Sequence, residues 1–296
     1  MTGPADVAAA LDAQDYLADD GVATAAYLAL TMRRPLFVEG DAGVGKTALA
    51  QALARAIDAP LIRLQCYEGI DAAQALYDWD FPRQLLHLRA VEAAGTGGDA
   101  EQLEQELYSR RFLIARPLLQ AIETDPCVLL VDEVDRADDE FEAFLLEVLS
   151  EFTVSIPELG TIRADNPPVV VVTSNRTREV HDALKRRCLY HWVEHPTFER
   201  EVAIVRRRFP AATARLVDEV TTAVQRLRQS DLLKPPGVAE TLDWTDALLS
   251  LGATQLDEDL ATRTLGAVLK YREDHERVEQ TLGGLAGMLA GAANAW

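Results

Sequence analysis

A glycine-rich segment near the start of the chain has the residue types and the spacing of a phosphate-binding loop. Gly40, Gly45, Lys46 and Thr47 occupy the fixed positions of the pattern G-x-x-x-x-G-K-[ST]. Glycines allow successive backbone N–H groups to point at phosphate oxygens, and the N-terminus of a following helix favours negative charge. The lysine can reach the β- and γ-phosphates, and the threonine hydroxyl can ligate Mg²⁺. The pattern therefore predicts that a nucleoside triphosphate and its metal bind here.

The surroundings of this pattern distinguish a phosphate loop from a glycine-rich turn that carries a surface lysine. A short apolar run at 36–38 precedes the pattern, and a helical spacing of apolar residues follows it over 47–57. The phosphate-binding mechanism requires a strand, a turn and a helix in this order. The residues predicted to bind nucleotide are Gly40, Asp41, Ala42, Gly43, Val44, Gly45, Lys46, Thr47 and Ala48.

Two carboxylates follow directly after another apolar run. Residues 127–131 are Cys-Val-Leu-Leu-Val, which is typical of a buried strand, and Asp132 and Glu133 come next. Ligands of α/β sheets bind beyond the carboxyl ends of the strands, so both side chains are predicted to reach that crevice. There Asp132 could hold the water shell of the metal and Glu133 could polarise the attacking water. The alternative is that both acids only begin a helix, where negative charge is favoured.

A polar residue follows a third apolar run in the same way. Residues 169–173 are β-branched and predict a strand buried on both faces, and Ser174 and Asn175 come next. The Asn175 side chain could position the lytic water or contact the γ-phosphate. The alternative is a turn residue or a helix cap, which are common roles of asparagine.

A basic cluster lies in an otherwise acidic chain. Lys185, Arg186 and Arg187 follow one another on a helix predicted to start near Glu179. An arginine that a second subunit supplies to the transferring phosphoryl group accelerates the reaction by about 10³–10⁵-fold. The alternative is a solvated helix face, and the sequence does not choose between Arg186 and Arg187.

The elements around these residues predict an α/β fold, in which a parallel sheet is sandwiched by helices and followed by a smaller all-α domain. The predicted strands are 36–38, 61–64, 127–131 and 169–173, with a hairpin over 153–162. The predicted helices are 5–31 with a break at Gly21, 47–57, 116–123, 138–151, and, beyond residue 196, 198–209, 211–228, 239–251 and 256–271. We therefore expect a nucleotide-binding domain over 1–196 and a helical lid domain over 197–296.

Composition limits the class of protein. The 296 residues include 29 Lys and Arg against 48 Asp and Glu, a net charge of −19. This excess of acid argues against nucleic acid or an anionic membrane as the main partner, because phosphate surfaces are bound by clustered Lys and Arg. No apolar stretch approaches the roughly 18 residues of a membrane span. Three distant cysteines suit neither a disulfide framework nor a zinc cluster. We expect a reduced, cytoplasmic protein.

The order of these features resembles that of an AAA+ ATPase, and their details resemble the MoxR family. Residues 131–137, Val-Asp-Glu-Val-Asp-Arg-Ala, are similar to its (A/V)DE(I/V)(N/D)RA signature. The hairpin resembles the family's pre-sensor hairpin, and the aromatic, irregular segment 67–88 stands in the place of its helix-2 insertion. Residues 182–190 and 235–244 resemble the branch that accompanies carbon monoxide dehydrogenase maturation genes. The similarity covers roughly residues 31–251.

The resemblance implies an ATP-dependent remodelling chaperone, hexameric, with nucleotide between neighbouring subunits. Members of the family usually act with a partner that carries a von Willebrand factor A domain, on the assembly or metal-cofactor maturation of a client enzyme. The implied residue roles are phosphate and Mg²⁺ binding by Lys46 and Thr47, metal support by Asp132, catalytic base by Glu133, sensor 1 by Asn175, and a finger offered to the neighbour's ATP by Arg186 or Arg187.

The chain departs from the family at the lid. The family's lid helix carries an arginine, called sensor 2, a few residues after a glycine. Here Gly237 is followed by Val-Ala-Glu-Thr, without an arginine. Lys234 or a residue of a neighbouring subunit would have to serve instead, or the lid does not respond to the γ-phosphate.

Two other functions fit parts of the sequence. A nucleotide-gated scaffold would bind ATP with little hydrolysis and dock a partner protein on the helical lid, but it would not need Glu133. A P-loop kinase for a small metabolite would need neither an arginine pair beyond an asparagine-tipped strand nor a large helical lid. The residues therefore favour ATP hydrolysis.

Overall fold

A computed structural model describes residues 1–95 and 99–280. The glycine-rich run over 93–100 predicts a loop, and the structure includes only part of it. The tail 282–296, for which the sequence predicts no definite element, lies outside the described residues. None of the helices formed by the described residues combines the length and the apolar character that crossing a membrane requires.

A five-stranded sheet organises the α/β part of the chain. The strands of the described residues are β1 (Leu36–Gly40), β2 (Leu61–Gln65), β3 (Tyr77–Trp79), β4 (Leu113–Ala115), β5 (Val128–Asp132), β6 (Thr153–Ile156), β7 (Gly160–Arg163), β8 (Val169–Ser174) and β9 (Leu189–Val193). The main sheet has the order β2-β5-β8-β1-β9, while β3 pairs with β4 and β6 with β7. The pairs β2–β5, β5–β8 and β8–β1 are parallel, so their carboxyl ends share one edge.

The central strands are apolar because both of their faces are covered. Every residue of β1 and of β5 is buried, and so is all of β8 except Val169. Phe37, Leu129, Val131, Val170 and Val172 of these strands pack in one core cluster with apolar side chains of α7 (Pro117–Glu123) and α8 (Asp139–Glu151). Continuous apolar runs are typical of such doubly covered parallel strands. The predicted fold class is confirmed.

Helices lie before, between and after these strands. They are α1 (Pro4–Asp12), α2 (Asp20–Met32), α3 (Lys46–Ala56), α4 (Ala72–Leu76), α5 (Phe81–Ala94), α6 (Ala100–Leu107), α7 (Pro117–Glu123), α8 (Asp139–Glu151), α9 (Asp182–Arg187), α10 (Phe198–Arg208), α11 (Ala214–Gln229), α12 (Val238–Ser250), α13 (Glu258–Val268) and α14 (Arg272–Gln280). The helix predicted over 5–31 is two helices, and the break lies at 13–19 rather than at Gly21, because Asp15 adopts a left-handed φ of 62°.

The segment 67–88 is more regular than the sequence predicts. It contains α4, β3 and the start of α5. A capping box joins Asp71 and Gln74 at the start of α4, and the Asp80 carboxylate caps α5, whose second residue is a proline. Both are strong local signals for a helix start. Both helices of this segment therefore begin at an aspartate whose side chain caps them.

The C-terminal helices enclose a core of their own. Trp244 is fully buried there among leucines and valines of α11, α12 and α13. A buried ion pair fastens α10 to α11, since both guanidinium nitrogens Nη1 and Nη2 of Arg228 lie 2.6 Å from the Glu201 carboxylate. The Thr241 hydroxyl of α12 donates to the same carboxylate at 2.6 Å. One satisfied buried charge therefore joins three helices.

The chain divides into two compact units. One comprises residues 1–7, 20–39 and 50–191, and the other comprises 8–19, 40–49 and the described residues from 192 onward. The phosphate-loop segment is therefore grouped with the C-terminal helices. The division at residue 196 stays a prediction.

Candidate functional site

The predicted phosphate loop forms the turn between β1 and α3. Gly43 lies at φ +78°, where a side chain would be strained, and α3 starts at Lys46. The Lys46 side chain is buried, and its Nζ donates to the carbonyls of Gly40 and Asp41, both at 2.7 Å. Thr47 and Ala48 lie in the first turn of α3. A turn with a glycine in the left-handed conformation, a buried ammonium group and the backbone N–H groups of a helix N-terminus together form a set of donors that fits a triphosphate.

The loop packs against the start of α12. The Ala239 N–H donates to the Gly43 carbonyl at 3.1 Å. A Cβ added at Gly237 would lie 2.6 Å from the Ala42 carbonyl oxygen, so only a glycine fits. The Glu240 carboxylate accepts from the Gly237 N–H at 2.8 Å and caps the helix. In the MoxR family, which the sequence resembles, the lid helix carries the sensor 2 arginine. Here the start of α12 instead contacts the loop through backbone atoms and carries the Glu240 carboxylate.

A histidine side chain contacts the carboxylate of Asp41, the second residue of the loop. His195 Nε2 lies 3.3 Å from Asp41 Oδ2. Burial and the positive charge of Arg228 lower the pKa of His195, although Asp41 and Glu201 oppose them. The imidazole is therefore mostly neutral at pH 7 and contacts Asp41 as a hydrogen-bond donor rather than as a cation.

Asp132 ends β5 as a buried carboxylate with partners on both sides. Its Oδ1 accepts from the Thr173 hydroxyl of β8. Its Oδ2 lies 2.9 Å from Nε and 2.6 Å from Nη2 of Arg63, on the adjacent strand β2. The Thr173 hydroxyl and the Arg63 guanidinium hold this carboxylate in place at the end of β5. An anionic oxygen donor at the end of this strand fits Mg²⁺ or the water around it.

Glu133 turns the chain at the tip of β5. It adopts a left-handed φ of 55°, and its N–H donates to the Thr173 hydroxyl at 2.9 Å. Its two carboxylate oxygens accept from separate amides, Oε1 from Asn175 Nδ2 at 3.1 Å and Oε2 from Gln65 Nε2 at 3.2 Å. The side chain keeps 34% of its surface exposed. The carboxylate is thus held in position and still open to water, as a general base requires.

Asp135 fixes the segment that carries Asn175. Its carboxylate accepts from the backbone N–H groups of Asn175 and Thr177, at 3.1 and 2.8 Å, and from the Thr177 hydroxyl at 2.7 Å. Burial acts to raise the pKa of Asp135, but these hydrogen bonds outweigh it and the pKa is lowered. The Asn175 amide therefore meets Glu133 from a backbone that is tied to the turn after β5.

The three basic residues of α9 differ in their surroundings. Lys185 points to the interior, with its Nζ 3.7 Å from the buried Glu39 carboxylate. Arg187 Nη1 donates to the Ser150 hydroxyl of α8 at 2.8 Å. The Arg186 side chain is 80% exposed and pairs with Asp182 one turn earlier on the same helix. Both arginines are exposed, but Arg187 is hydrogen-bonded to a neighbouring helix, whereas the ion pair of Arg186 lies within α9.

Within the larger unit the structure brings together Asp132, Glu133 and Asn175, whereas the two arginines of α9 contact other residues. Four residues that contact these three were not predicted as part of a site: Arg63, Gln65, Thr173 and Asp135. In the sequence, these four are polar residues that lie within or just after apolar runs. Which residues they contact depends on the order of the strands, because the pairing of β2 with β5 is what places Gln65 beside Asp132.

The cysteines play no visible part in this site. Cys66, Cys127 and Cys188 are free and buried. Burial raises the pKa of their thiols to about 12, 11 and 12, respectively. All three are protonated at neutral pH and are poor nucleophiles.

A family model supports the nucleotide-binding character of the α/β part. The model for the AAA domain, dynein-related subfamily, matches residues 35–188, just over half of the chain. The chain is 22% identical over 182 residues to the nuclear valosin-containing protein-like protein of Mus musculus, over 60% of this chain and 16% of that protein. It is 23% identical over 165 residues to an uncharacterised AAA domain-containing protein of Schizosaccharomyces pombe, over 54% and 17%. The chain thus spans about a sixth of the length of these relatives.

Solved structures of similar fold include two variants of the RuvB protein of Thermotoga maritima. One has a TM-score of 0.51 at 14% identity and covers 92% of this chain and 80% of its own. The other has a TM-score of 0.50 at 14% identity and covers 100% and 84%. At this identity the likeness shows a shared fold, an α/β sheet domain followed by helices.

Proposed function

Since the chain belongs to the AAA domain family, in its dynein-related subfamily, we propose that it binds ATP with Mg²⁺ and hydrolyses the ATP to ADP and phosphate. The observation that carries hydrolysis is the Glu133 carboxylate, which two amides hold at the tip of β5 directly after the buried Asp132. A protein that only binds nucleotide has no need of such a held, water-accessible base.

The proposed mechanism assigns a separate task to each of the predicted site residues. Residues 40–48 would bind the phosphates, and Thr47 and Asp132 would hold Mg²⁺. The bound metal would neutralise charge on the phosphate oxygens. Glu133 accepts a proton from a water whose oxygen forms a bond to the γ-phosphorus. The bond between that phosphorus and the bridging oxygen breaks, and ADP takes the electron pair. Asn175 keeps the carboxylate oriented toward the water.

Arg186 is the residue we assign as the finger, in preference to Arg187. Its guanidinium is exposed and has a surface ion pair with Asp182. Such a pair contributes only about 0.3–0.5 kcal/mol and gives way to a phosphate with little loss. Arg187 is engaged with Ser150 of the neighbouring helix. Arg186 therefore serves the ATP of a neighbouring copy, while Arg187 anchors the helix.

The finer role that fits is that of a MoxR-type remodelling chaperone, which assembles as a hexameric ring with a von Willebrand factor A-domain partner and matures a client enzyme. Supporting observations are the hairpin of β6 and β7 before the Asn175 strand and the insertion of short elements between β2 and α7. Both stand where the resemblance places them. The adjacent genes test this role, because a von Willebrand factor A-domain protein and a molybdenum hydroxylase are the expected neighbours.

The test of hydrolysis is Glu133→Gln. The amide keeps the size of the side chain but accepts no proton, so kcat should fall by about 10²–10⁴-fold while ATP affinity is kept. Phosphate release at saturating ATP and calorimetric titration with ATP measure the two quantities. Glu140→Gln, an exposed acid on α8, is the matched control and should hydrolyse ATP like the unmodified chain.

Two outcomes would count against the proposal. Unchanged turnover in Glu133→Gln means that the base is misassigned. Tight binding of ATP by the unmodified chain with no turnover under any condition of assembly would instead support the alternative function, a nucleotide-gated scaffold that docks a partner protein.

A further inference from the structure

Arg34 lies between α2 and β1, and its side chain binds the end of α9. Its Nη2 donates to the carbonyl oxygens of Arg186 and Cys188, at 3.0 and 3.2 Å. Its Nε donates to the carbonyl oxygen of Arg187 at 3.2 Å. One guanidinium therefore contacts three consecutive carbonyls at the end of the helix that carries the two arginines.

The end of α9 depends on such a partner. The last carbonyls of a helix have no intrahelical donor, and a cation at this end also interacts favourably with the helix dipole. α9 has only 6 residues, too few to fix its own geometry by internal hydrogen bonds. The rigid, planar fork of an arginine can hold several acceptors at once in one geometry. Arg34 therefore sets the backbone position of Arg186.

Two further contacts hold the same turn. The Leu189 N–H donates to the Pro35 carbonyl at 2.8 Å, directly beside Arg34, and the Arg187 guanidinium donates to Ser150. The Arg186 side chain in between is 80% exposed. A fixed backbone with a projecting guanidinium is what a group needs to act on a ligand that another chain binds, because small misplacements of a catalytic group are costly.

We propose that Arg34 is a positioning residue for Arg186, and that it aims the Arg186 guanidinium at the triphosphate bound by a neighbouring copy of this chain. The inference rests on the proposed function, in which Arg186 is supplied to the neighbour. Arg34 itself touches neither the nucleotide nor the reacting atoms. Its loss therefore lowers kcat and leaves the affinity for ATP unchanged.

The first experiment compares Arg34→Lys with Arg33→Lys. Lysine keeps the charge but lacks the fork, so Arg34→Lys should lower kcat by about 10- to 100-fold with an unchanged KM for ATP. Arg33 is the exposed neighbour and its variant should behave like the unmodified chain. Far-ultraviolet circular dichroism checks that both variants fold. Wild-type kcat in folded Arg34→Lys would overturn the proposal, and so would a change in KM alone.

The second experiment separates positioning from general damage by mixing subunits. Lys46→Ala subunits bind no phosphate but offer an intact Arg186. In a mixture with Arg34→Lys subunits, the Lys46→Ala subunits should restore hydrolysis at the intact phosphate loops of the Arg34→Lys subunits. Arg186→Ala subunits mixed with Arg34→Lys subunits should restore no hydrolysis. A stabilising role confined to the variant's own fold would not be repaired by a partner.

The mixture of Lys46→Ala with Arg186→Ala distinguishes this inference from its premise. If that mixture regains activity and the mixture with Arg34→Lys does not, the role of Arg34 is wrong and the shared site stands. If neither mixture regains activity although native mass spectrometry shows mixed assemblies, the shared site fails and the role of Arg34 fails with it.

Discussion

At the scale of single residues, the proposed base works through the groups that hold it. Glu133 by itself is a half-buried carboxylate on a turn with a left-handed backbone, a conformation that costs about 1–3 kcal/mol outside glycine. The amides of Asn175 and Gln65 and the Thr173 hydroxyl fix that turn. Asp135 in turn fixes the backbone of Asn175. Catalysis should therefore be sensitive to a residue that never contacts the water.

Asp135→Asn should reveal this dependence. An asparagine has one acceptor oxygen in place of two, so a backbone N–H loses its partner, and the free energy of unfolding should fall by about 1–3 kcal/mol at pH 7. Because folding lowers the pKa of Asp135 from its ordinary 3.8, the carboxylate stabilises the fold above that value. This stabilisation disappears as the pH falls through the lower, folded-state pKa.

The measurement is urea unfolding of both proteins from pH 7 to the acid range, with steady-state ATP hydrolysis at pH 7. The difference in unfolding free energy should narrow below pH 3.8, the ordinary pKa of the carboxyl group. Asp139→Asn, an exposed acid nearby, should shift stability by no more than about 0.5 kcal/mol. A difference that does not depend on pH would contradict the assigned role of the carboxylate.

Local sequence patterns predict the residues to which we assign chemistry, but they do not predict the residues that hold them in place. Gly40, Lys46 and the Asp132–Glu133 pair follow local patterns, because strand, loop and helix are read within a few positions. The contacts of Arg34 and Arg63 join distant segments, and they depend on which strand lies beside which. Spacing in the sequence carries no information about that order.

At the scale of elements, the long buried strands and most helices followed from periodicity, whereas β3, β4 and β9 did not. β9 reads Leu-Tyr-His-Trp-Val, a mixture of polar and apolar residues, because it is the edge strand of the sheet beside β1. β3 and β4 have three residues each and pair only with one another. Such elements are stabilised by tertiary contacts rather than by a pattern of their own.

The contact between the phosphate loop and α12 gives a prediction at this scale. Gly237 has an ordinary φ of −83°, so alanine is conformationally acceptable there, but its Cβ would lie 2.6 Å from the Ala42 oxygen and 2.8 Å from Gly43 Cα. Gly237→Ala should therefore push the loop and the helix apart. We expect weaker ATP binding and a loss of about 1–3 kcal/mol of stability from overpacking.

Gly266→Ala is the matched control, because a Cβ at that position of α13 meets no described heavy atom within 4 Å. It should bind ATP normally and be as stable as the unmodified chain or more so, since alanine favours helix. Fluorescent-nucleotide titration and thermal unfolding give the two readouts. If Gly237→Ala bound ATP as tightly as the control, the loop would not depend on its contact with α12.

At the scale of the whole molecule, the charge bears on assembly. A chain with a net charge of −19 repels its own copies over a distance of about 10 Å at 0.1 M salt. A basic cluster on α9 within such a chain offers a contact of opposite charge to the next copy. A contact between two different surfaces of the same protein generates a ring when the rotation closes. The same arginine can then favour assembly and complete the neighbour's site.

ATP hydrolysis per subunit should therefore rise with protein concentration, because in the proposed function each subunit receives its finger arginine from a neighbour. Steady-state hydrolysis across a dilution series, with particle mass followed by light scattering at the same salt, relates activity to assembly. Arg186→Ala should abolish the rise in activity, while Asp182→Ala, which frees that arginine from its surface ion pair, should preserve it. Constant activity per subunit across the range in which particle mass changes would mean that each subunit hydrolyses ATP with its own residues alone.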